Sequence, residues 1–287
     1  MLQSLTDITD KEIYQIADMS IKSIENLCSS VENVKSAFEV TPYNTNKTAF
    51  QKCIELYPTL LNDKYTKHHL KDIKDSLIKK YRSGKLQING KFTFVLPDFY
   101  AACEHWFMLE DNPKGLLNDG EVFCWLFTNY DKLDCLRSPH LYREHPVRNN
   151  LAYYENIKSE ELREWFTTNA VYVSCHDMIS RIVQCDYDGD RLLCVADKTF
   201  VQVAERNMKN IVPLYYEMKK AMPHIINNDV IYEGLILAFT GGNIGIYSNN
   251  ISKIWNSETF LSGTDEEKQN ALNYIKCLTA QNNWVID

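Results

Sequence analysis

The sequence has no C-x-x-C pair, no long apolar run and no excess of positive charge, and each absence removes a class of protein. Its nine cysteines are odd in number and scattered singly: Cys28, Cys53, Cys103, Cys124, Cys135, Cys175, Cys185, Cys194 and Cys277. That spacing gives neither a zinc site nor a disulfide framework. Several lie inside apolar runs such as "EVFCWLF" and "AVYVSC", which predicts buried, reduced thiols in a cytosol-like compartment. No stretch of about 18 apolar residues is present to cross a membrane. The N-terminus "MLQSLTDITDKEIYQIADMS" lacks the basic start and apolar core of a signal peptide, so a soluble chain is expected. The formal net charge of −7 sets up no global field that would recruit nucleic acid, and any such binding needs a local patch. Ten glycines and eight prolines are too few for a linker-rich or disordered chain. Internal repeats and low-complexity segments are also missing.

What is present is ordinary globular texture, in three parts. Residues 1 to 88 read as helical. Ile8, Ile13, Ile16, Met19, Ile21, Ile24 and Leu27 recur at helical spacing, with Thr9 or Asp10 as the N-cap. "NDKYTKHHLKDIKDSLIKKYRSG" follows, with Tyr65, Leu70, Ile73 and Leu77 as its stripe and Gly84 as its stop. Between Lys64 and Lys91 stand nine Lys or Arg against Asp72 and Asp75. This is either a solvated helix face or a surface that contacts a nucleic-acid backbone.

Residues 89 to 197 read as a compact β-barrel or sandwich. "KFTFVLPD", "EVFCWLFT", "KLDCL", "AVYVSC", "RIVQC" and "RLLCVA" are short runs rich in β-branched and aromatic residues, divided in places by turns such as "DNPKG" and "NDG". One helical insert, "KSEELREWFTTN", interrupts them. Residues 198 to 287 return to helical periodicity in "KTFVQVAERNMKNIVPLYYEMKKAM" and "DEEKQNALNYIKCLTAQNNWVID".

The chemistry concentrates in "QCDYDGDRLLCVAD". Asp186, Asp188 and Asp190 alternate, and Gly189 allows the sharp backbone that lets the three converge. The motif reads as a tight turn between two strands. Three carboxylates this close repel unless something positive sits among them, and as hard oxygen donors they suit Mg²⁺ or Ca²⁺. A helix–loop–helix calcium loop is excluded, because Arg191 occupies the position that needs glycine and "RLLCVA" is strand-like. Phosphohexomutases carry a D-x-D-G-D-R loop that "DYDGDR" fits, but no Ser-His-Asn-Pro-like segment is present to be phosphorylated.

"DYDGD" also resembles the D-x-D-G-D signature of the two-barrel RNA polymerases, which include silencing-type RNA-dependent enzymes and single-chain phage polymerases. "CLRSPHLYREHPVR" (135 to 148) resembles the Arg-x-Pro segment that precedes the aspartates in that superfamily. "NNWVID" and "GGNIGIYSNNISKIWN" are similar, more loosely, to two later regions. The resemblance covers about residues 89 to 287.

It implies an α+β chain, with a double-psi β-barrel flanked by helical regions. It further implies nucleotidyl transfer from ribonucleoside triphosphates to an RNA 3′-hydroxyl on a nucleic acid template, in a cytoplasmic setting (the host's, if phage-encoded). Asp186, Asp188 and Asp190 would hold Mg²⁺. Arg137 would contact the nucleotide near its ribose hydroxyl, although pairing with a carboxylate explains it equally. Pro139 would stiffen that segment. Arg143 is a candidate for substrate contact, and His145 a weaker one. Arg191 is expected to pair with the aspartates, and Gly242 and Gly245 to shape a loop between helices. In the superfamily a second, lysine-bearing barrel precedes the aspartate barrel, whereas here the preceding residues are helical. The chain is therefore expected to be part of a polymerase core that needs a second barrel. Its stop at Asp287, inside a helical pattern, fits truncation or splitting. The competing expectations are a mutase or phosphatase using the same loop, and a non-catalytic module binding nucleic acid through residues 64 to 91.

Overall fold

The computed structural model describes residues 1–214, 222–240 and 243–286. The chain divides into two compact units, Ile8–Asn89 and a larger one built from Met1–Asp7 together with Gly90 onward.

The smaller unit is helical, with no strand among its residues: α1 (Asp10–Glu25), α2 (Val31–Ala37), α3 (Ala49–Leu56) and α4 (Lys64–Arg82). Thr9 caps α1 in a reciprocal box, its backbone N–H donating to Glu12 Oε2 at 2.9 Å while its hydroxyl accepts from Glu12 N at 3.4 Å. Such a cap is worth about 1 kcal/mol. Asp63 caps α4 through Tyr65 N at 2.7 Å, and Gly84 follows the helix at φ +78°, in the left-handed region that glycine adopts without penalty. Leu70 and Ile73 reach a small core of Phe38, Val40 and Ile54. Lys64, Lys67, Lys71, Lys79, Lys80 and Arg82 all face water.

The larger unit is built on six strands, β1 (Gly90–Pro97), β2 (Glu121–Phe123), β3 (Lys132–Arg137), β4 (Val147–Asn150), β5 (Val171–Val173) and β6 (Arg191–Val195). They close into a barrel in the order β1-β5-β2-β4-β3-β6. The alternation read from the sequence is realised: Thr93 and Val95 on β1 and Leu192 and Cys194 on β6 point inward, while Phe92 and Phe94 are exposed. Val95, Val122, Leu133, Val171, Val173 and Leu192 fill the interior together with Cys124, Cys135 and Cys194. All nine cysteines are free; these three are buried, whereas Cys28, Cys53, Cys175 and Cys277 are exposed.

Exchanging the first three strands with the last three leaves the ring unchanged. β1·β5 and β4·β2 are both parallel, β1·β6 and β4·β3 both antiparallel, and β2·β5 and β3·β6 each map onto themselves. This is the pairing of a double-psi barrel. One pair of backbone bonds sets the correspondence: Val95 N donates to Asp190 O at 3.1 Å, and Asn150 N donates to Asp131 O at 2.7 Å. With Asp190 matched to Asp131, the paired residues Cys135 and Cys194 exchange places, as do the paired residues Phe123 and Tyr172. A pseudo-twofold axis therefore passes through the barrel at those two pairs, and the turns that end at Asp131 and Asp190 lie at opposite ends.

Two sequence readings need correction. "RIVQC" is not a strand; Ile179–Val183 is a short helix, α7, too brief for helical periodicity to show. The fourth strand is instead Val147–Asn150, within the polar "VRNN", whose pairing with β2 and β3 is not visible locally.

Helices α5 (Phe99–Met108), α6 (Ser159–Trp165), α8 (Lys198–Met208), α9 (Asn228–Thr240), α10 (Ile244–Trp255), α11 (Glu258–Ser262) and α12 (Asp265–Ile286) complete the unit. α9 is exposed and apolar, and it belongs to the stretch Asn228–Ser262, which by length and composition alone is long and apolar enough to cross a membrane, contrary to the sequence reading. α10 and α12 pack Ile251, Trp255 and Ile275 on Leu141 and Tyr142, with Trp255 Nε1 donating to Leu141 O at 2.9 Å. Gly245 lies in the first turn of α10 and not in a loop, while Gly242 and Asp287 lie outside the described residues.

Candidate metal centre

The aspartates sit on a turn that leads from a helix into a strand. Asp177 starts α7 by accepting Ile179 N at 3.0 Å, and is itself held by Arg148 Nη2 at 2.8 Å and Gly120 N at 3.0 Å. Gln184 ends α7 in the left-handed region at φ +54°, Tyr187 follows at +65° and Gly189 at +122°. The last value suits glycine alone. These reversals curl the chain so that Asp188 N donates to Asp186 Oδ1 and Asp186 N to Asp190 Oδ2, both at 3.3 Å. Each aspartate then offers an oxygen within 4.8 Å of the other two. Convergence arises from the turn, and not from strand periodicity.

Asp186 and Asp188 are exposed and Asp190 half-buried. The crowding has an electrostatic signature: the Asp188 carboxyl is pushed above the ordinary carboxylate range by its hydrogen bond to Asp186, and then by the Asp186 charge. The guanidinium at hand belongs to Arg137, at the end of β3. Its Nη2 pairs with Asp190 Oδ1 at 2.8 Å and its Nη1 bonds the Gln184 carbonyl, so one cation ties the turn at two points. One guanidinium against three carboxylates leaves the site short of positive charge. Neighbouring Cys185 is no competing donor, because burial and then the Asp190 charge push its thiol up to about 12. An all-carboxylate set open to water fits a hard divalent cation.

The other residues singled out from the sequence fall elsewhere. Arg191 does not pair with the aspartates; its guanidinium stacks over Phe94 at 4.5 Å. Arg143 Nη2 donates to Thr6 Oγ1 at 3.1 Å. His145 is fully buried, its Nδ1 at 2.7 Å from Asp134 Oδ2 and its Nε2 at 3.0 Å from Ser4 Oγ, so it faces no solvent-borne phosphate. Pro139 follows Ser138 through a cis peptide. Asp177 and Arg148, which hold the approach to the turn, went unnoticed in the sequence; an Asp two residues before an apolar run is the capping signal that marks the first of them.

No family model and no solved structure matches the chain. The chain is 46% identical over 290 residues to the DNA-directed RNA polymerase YonO of Bacillus phage SPbeta; the match takes in all of this chain and 32% of that protein. The chain thus spans about a third of the length of this relative. The similarity to single-chain phage RNA polymerases expected from the aspartate motif is borne out by that match and by the closed barrel. The mutase reading, which needs a different architecture, falls.

Proposed function

We propose that this relative of one third of a phage RNA polymerase is the metal-bearing barrel of a template-directed RNA polymerase. The observation that carries the reading is the convergence of three carboxylates on one barrel turn, in a chain 46% identical to a polymerase throughout. The metal-bearing part is residues 89 to 197, between an N-terminal helical region (1 to 88) and a C-terminal one (198 to 287). The reaction is attack of an RNA 3′-hydroxyl on the α-phosphate of a ribonucleoside triphosphate: the phosphodiester bond forms as the bond from the α-phosphorus to the α,β-bridging oxygen breaks, and pyrophosphate and the hydroxyl proton leave. Asp186, Asp188 and Asp190 would hold Mg²⁺, which when bound would supply electrostatic stabilisation of the charge that develops during transfer.

The chain's own groups do the positioning. Arg137 fixes Asp190 and Gln184, so the carboxylates stay in place before any ligand arrives. Its N–H donors beyond those two bonds would serve the nucleotide's sugar. Arg143 serves as a further substrate contact once released from Thr6. The lysines that would meet the triphosphate come from a second barrel, which the strand-free Ile8–Asn89 unit does not supply.

The test is ribonucleotide incorporation on a primed template by this chain together with a polypeptide matching the rest of the phage relative. Asp188→Asn is expected to lower incorporation by about 10³-fold or more. Incorporation at the unsubstituted rate would contradict the assignment.

A further inference from the structure

Helix α4 concentrates positive charge in an acidic chain. Its 19 residues carry seven Lys or Arg against Asp72 and Asp75, whereas the whole chain has a formal net charge of −7. At about 100° per residue, Lys64, Lys71 and Arg82 fall within about 20° of one line along the helix, and Lys67 and Lys79 lie about 60° to either side of it. The row runs for about 27 Å. Asp75 interrupts it, and Asp72 beside it faces His68 at 3.9 Å. All five cations are exposed, and among the described residues none of them pairs with a carboxylate. Lys22 and Lys47 of the same helical unit do find acids, Asp18 at 2.7 Å and Glu55 at 2.5 Å.

Helix stability explains only one end of the row. Lys79, Lys80 and Arg82 stand in the last turn, where the helix dipole favours cations. Lys64 and Lys67 stand at the opposite end, which the dipole makes unfavourable for them, and the first turn holds no acid to offset it. Lys64, Lys67 and Lys71 are moreover like charges at i,i+3 and i,i+4 spacing, which repel. This half of the row works against its own helix, and an anion from outside would relieve it.

The face also narrows the kind of anion. A lipid surface would need apolar side chains beside the cations, but Leu70 and Ile73 are turned to the core of Phe38, Val40 and Ile54. Protein interfaces are depleted in lysine, and this row is nearly all lysine. Single strands are held by aromatic platforms among the cations; Tyr65, the exposed ring of α4, lies about 100° from Lys64 and packs on Phe50 and His69. A double helix needs only the charges, and about eight base-pair steps span the row.

We propose that Lys64, Lys67, Lys71 and Arg82 form a surface that grips the phosphate backbone of a nucleic acid double helix without regard to sequence. The inference rests on the polymerase reading for the choice of nucleic acid as the polyanion, and adds to it where the duplex is held.

The test is fluorescence anisotropy of a labelled DNA duplex of about 20 base pairs, titrated with the full chain in EDTA at salt concentrations from about 50 to about 200 mM. The logarithm of the binding constant should fall linearly with the logarithm of salt, with a slope of about −3 to −4 for four phosphate contacts. Lys67→Gln with Lys71→Gln should reduce that slope by about 2 and weaken binding at the lowest salt by about tenfold or more. Lys11→Gln with Lys52→Gln removes the same charge from exposed positions on α1 and α3, and should change affinity by less than about twofold. Equal losses in the two variants, no loss in either, or tighter binding of the corresponding single strand would overturn the inference. So would capture of anionic vesicles in place of the duplex. Because EDTA keeps divalent ions off the carboxylate turn, a failure here leaves the incorporation test of Asp188→Asn to decide the polymerase reading by itself.

Discussion

The pseudo-twofold barrel offers two equivalent turns, one at each end, and only one of them is chemically equipped. At one end the turn closes with Asp190, whose carbonyl accepts Val95 N; at the other it closes with Asp131, whose carbonyl accepts Asn150 N. The backbone service is the same. The side chains differ position by position, since the exchange sets Asp188 against Asn129, Gly189 against Tyr130 and Asp186 against the buried Phe127. Arg137, the guanidinium that pins Asp190, corresponds to Ala196. The candidate metal site is therefore not a property of the fold but of one turn, which carries two further acids, a glycine and an arginine.

The largest effects should come from removing the acids at one end and their lone counterpart at the other. Asp188→Asn is expected to abolish incorporation within the limits given above, while Asp131→Asn, at an exposed turn, should leave activity unaltered and shift stability by no more than about 0.5 kcal/mol. A loss of activity in the Asp131 variant would break the comparison. Arg137→Ala should come next, lowering incorporation by about 10²-fold as Asp190 and the Gln184 carbonyl lose their shared donor. Arg137→Lys should recover little of it, since an ammonium cannot tie both groups in one plane.

Gly189→Ala isolates the backbone contribution. Nothing lies within 4 Å of the added methyl group, so the cost is conformational and comes from φ +122°. About 1–2 kcal/mol is expected, read as weaker divalent-ion binding by about tenfold. Tyr130→Gly at the equivalent position should leave divalent binding untouched.

Smaller effects should follow pH. Because Asp188 holds its proton to higher pH than an ordinary aspartate, divalent-ion affinity should begin to fall, on acidification, above the pH at which an isolated aspartate titrates. In the ion-free chain the same raised value means that stability declines as pH rises through the Asp188 pKa. Buried His140 acts in the other direction. Burial, and then the His145 charge, hold its ring well below the usual histidine value. The stability it contributes is present above about pH 6.5 and is lost as pH falls from there toward its folded value. Denaturant titrations at pH 7.5 and pH 5.5 should show the loss, and His140→Phe should reduce it.

Much of this was legible in the chain itself. The helical first part, five of the six strands and the convergence of Asp186, Asp188 and Asp190 followed from periodicity, β-branched runs and a glycine between acids. The missed elements share a cause. Val147–Asn150 pairs with β2 and β3, and Ile179–Val183 begins two residues after Asp177, which accepts Ile179 N and is held by Arg148. Neither partnership leaves a local mark. Likewise Arg191, next to the aspartates in sequence, points to Phe94, while Arg137, far away in the chain, reaches them across the β3·β6 ladder. His145, the weaker candidate for substrate contact in the sequence, is buried against Asp134 and Ser4.

The most direct test of the central claim is a count of bound Mn²⁺, followed by its paramagnetic signal in titrations of the full chain. Tight binding at the Asp190 turn that disappears in Asp188→Asn and persists in Asp131→Asn is the predicted result. Binding that survives Asp188→Asn, or that vanishes with Asp131→Asn, would contradict it.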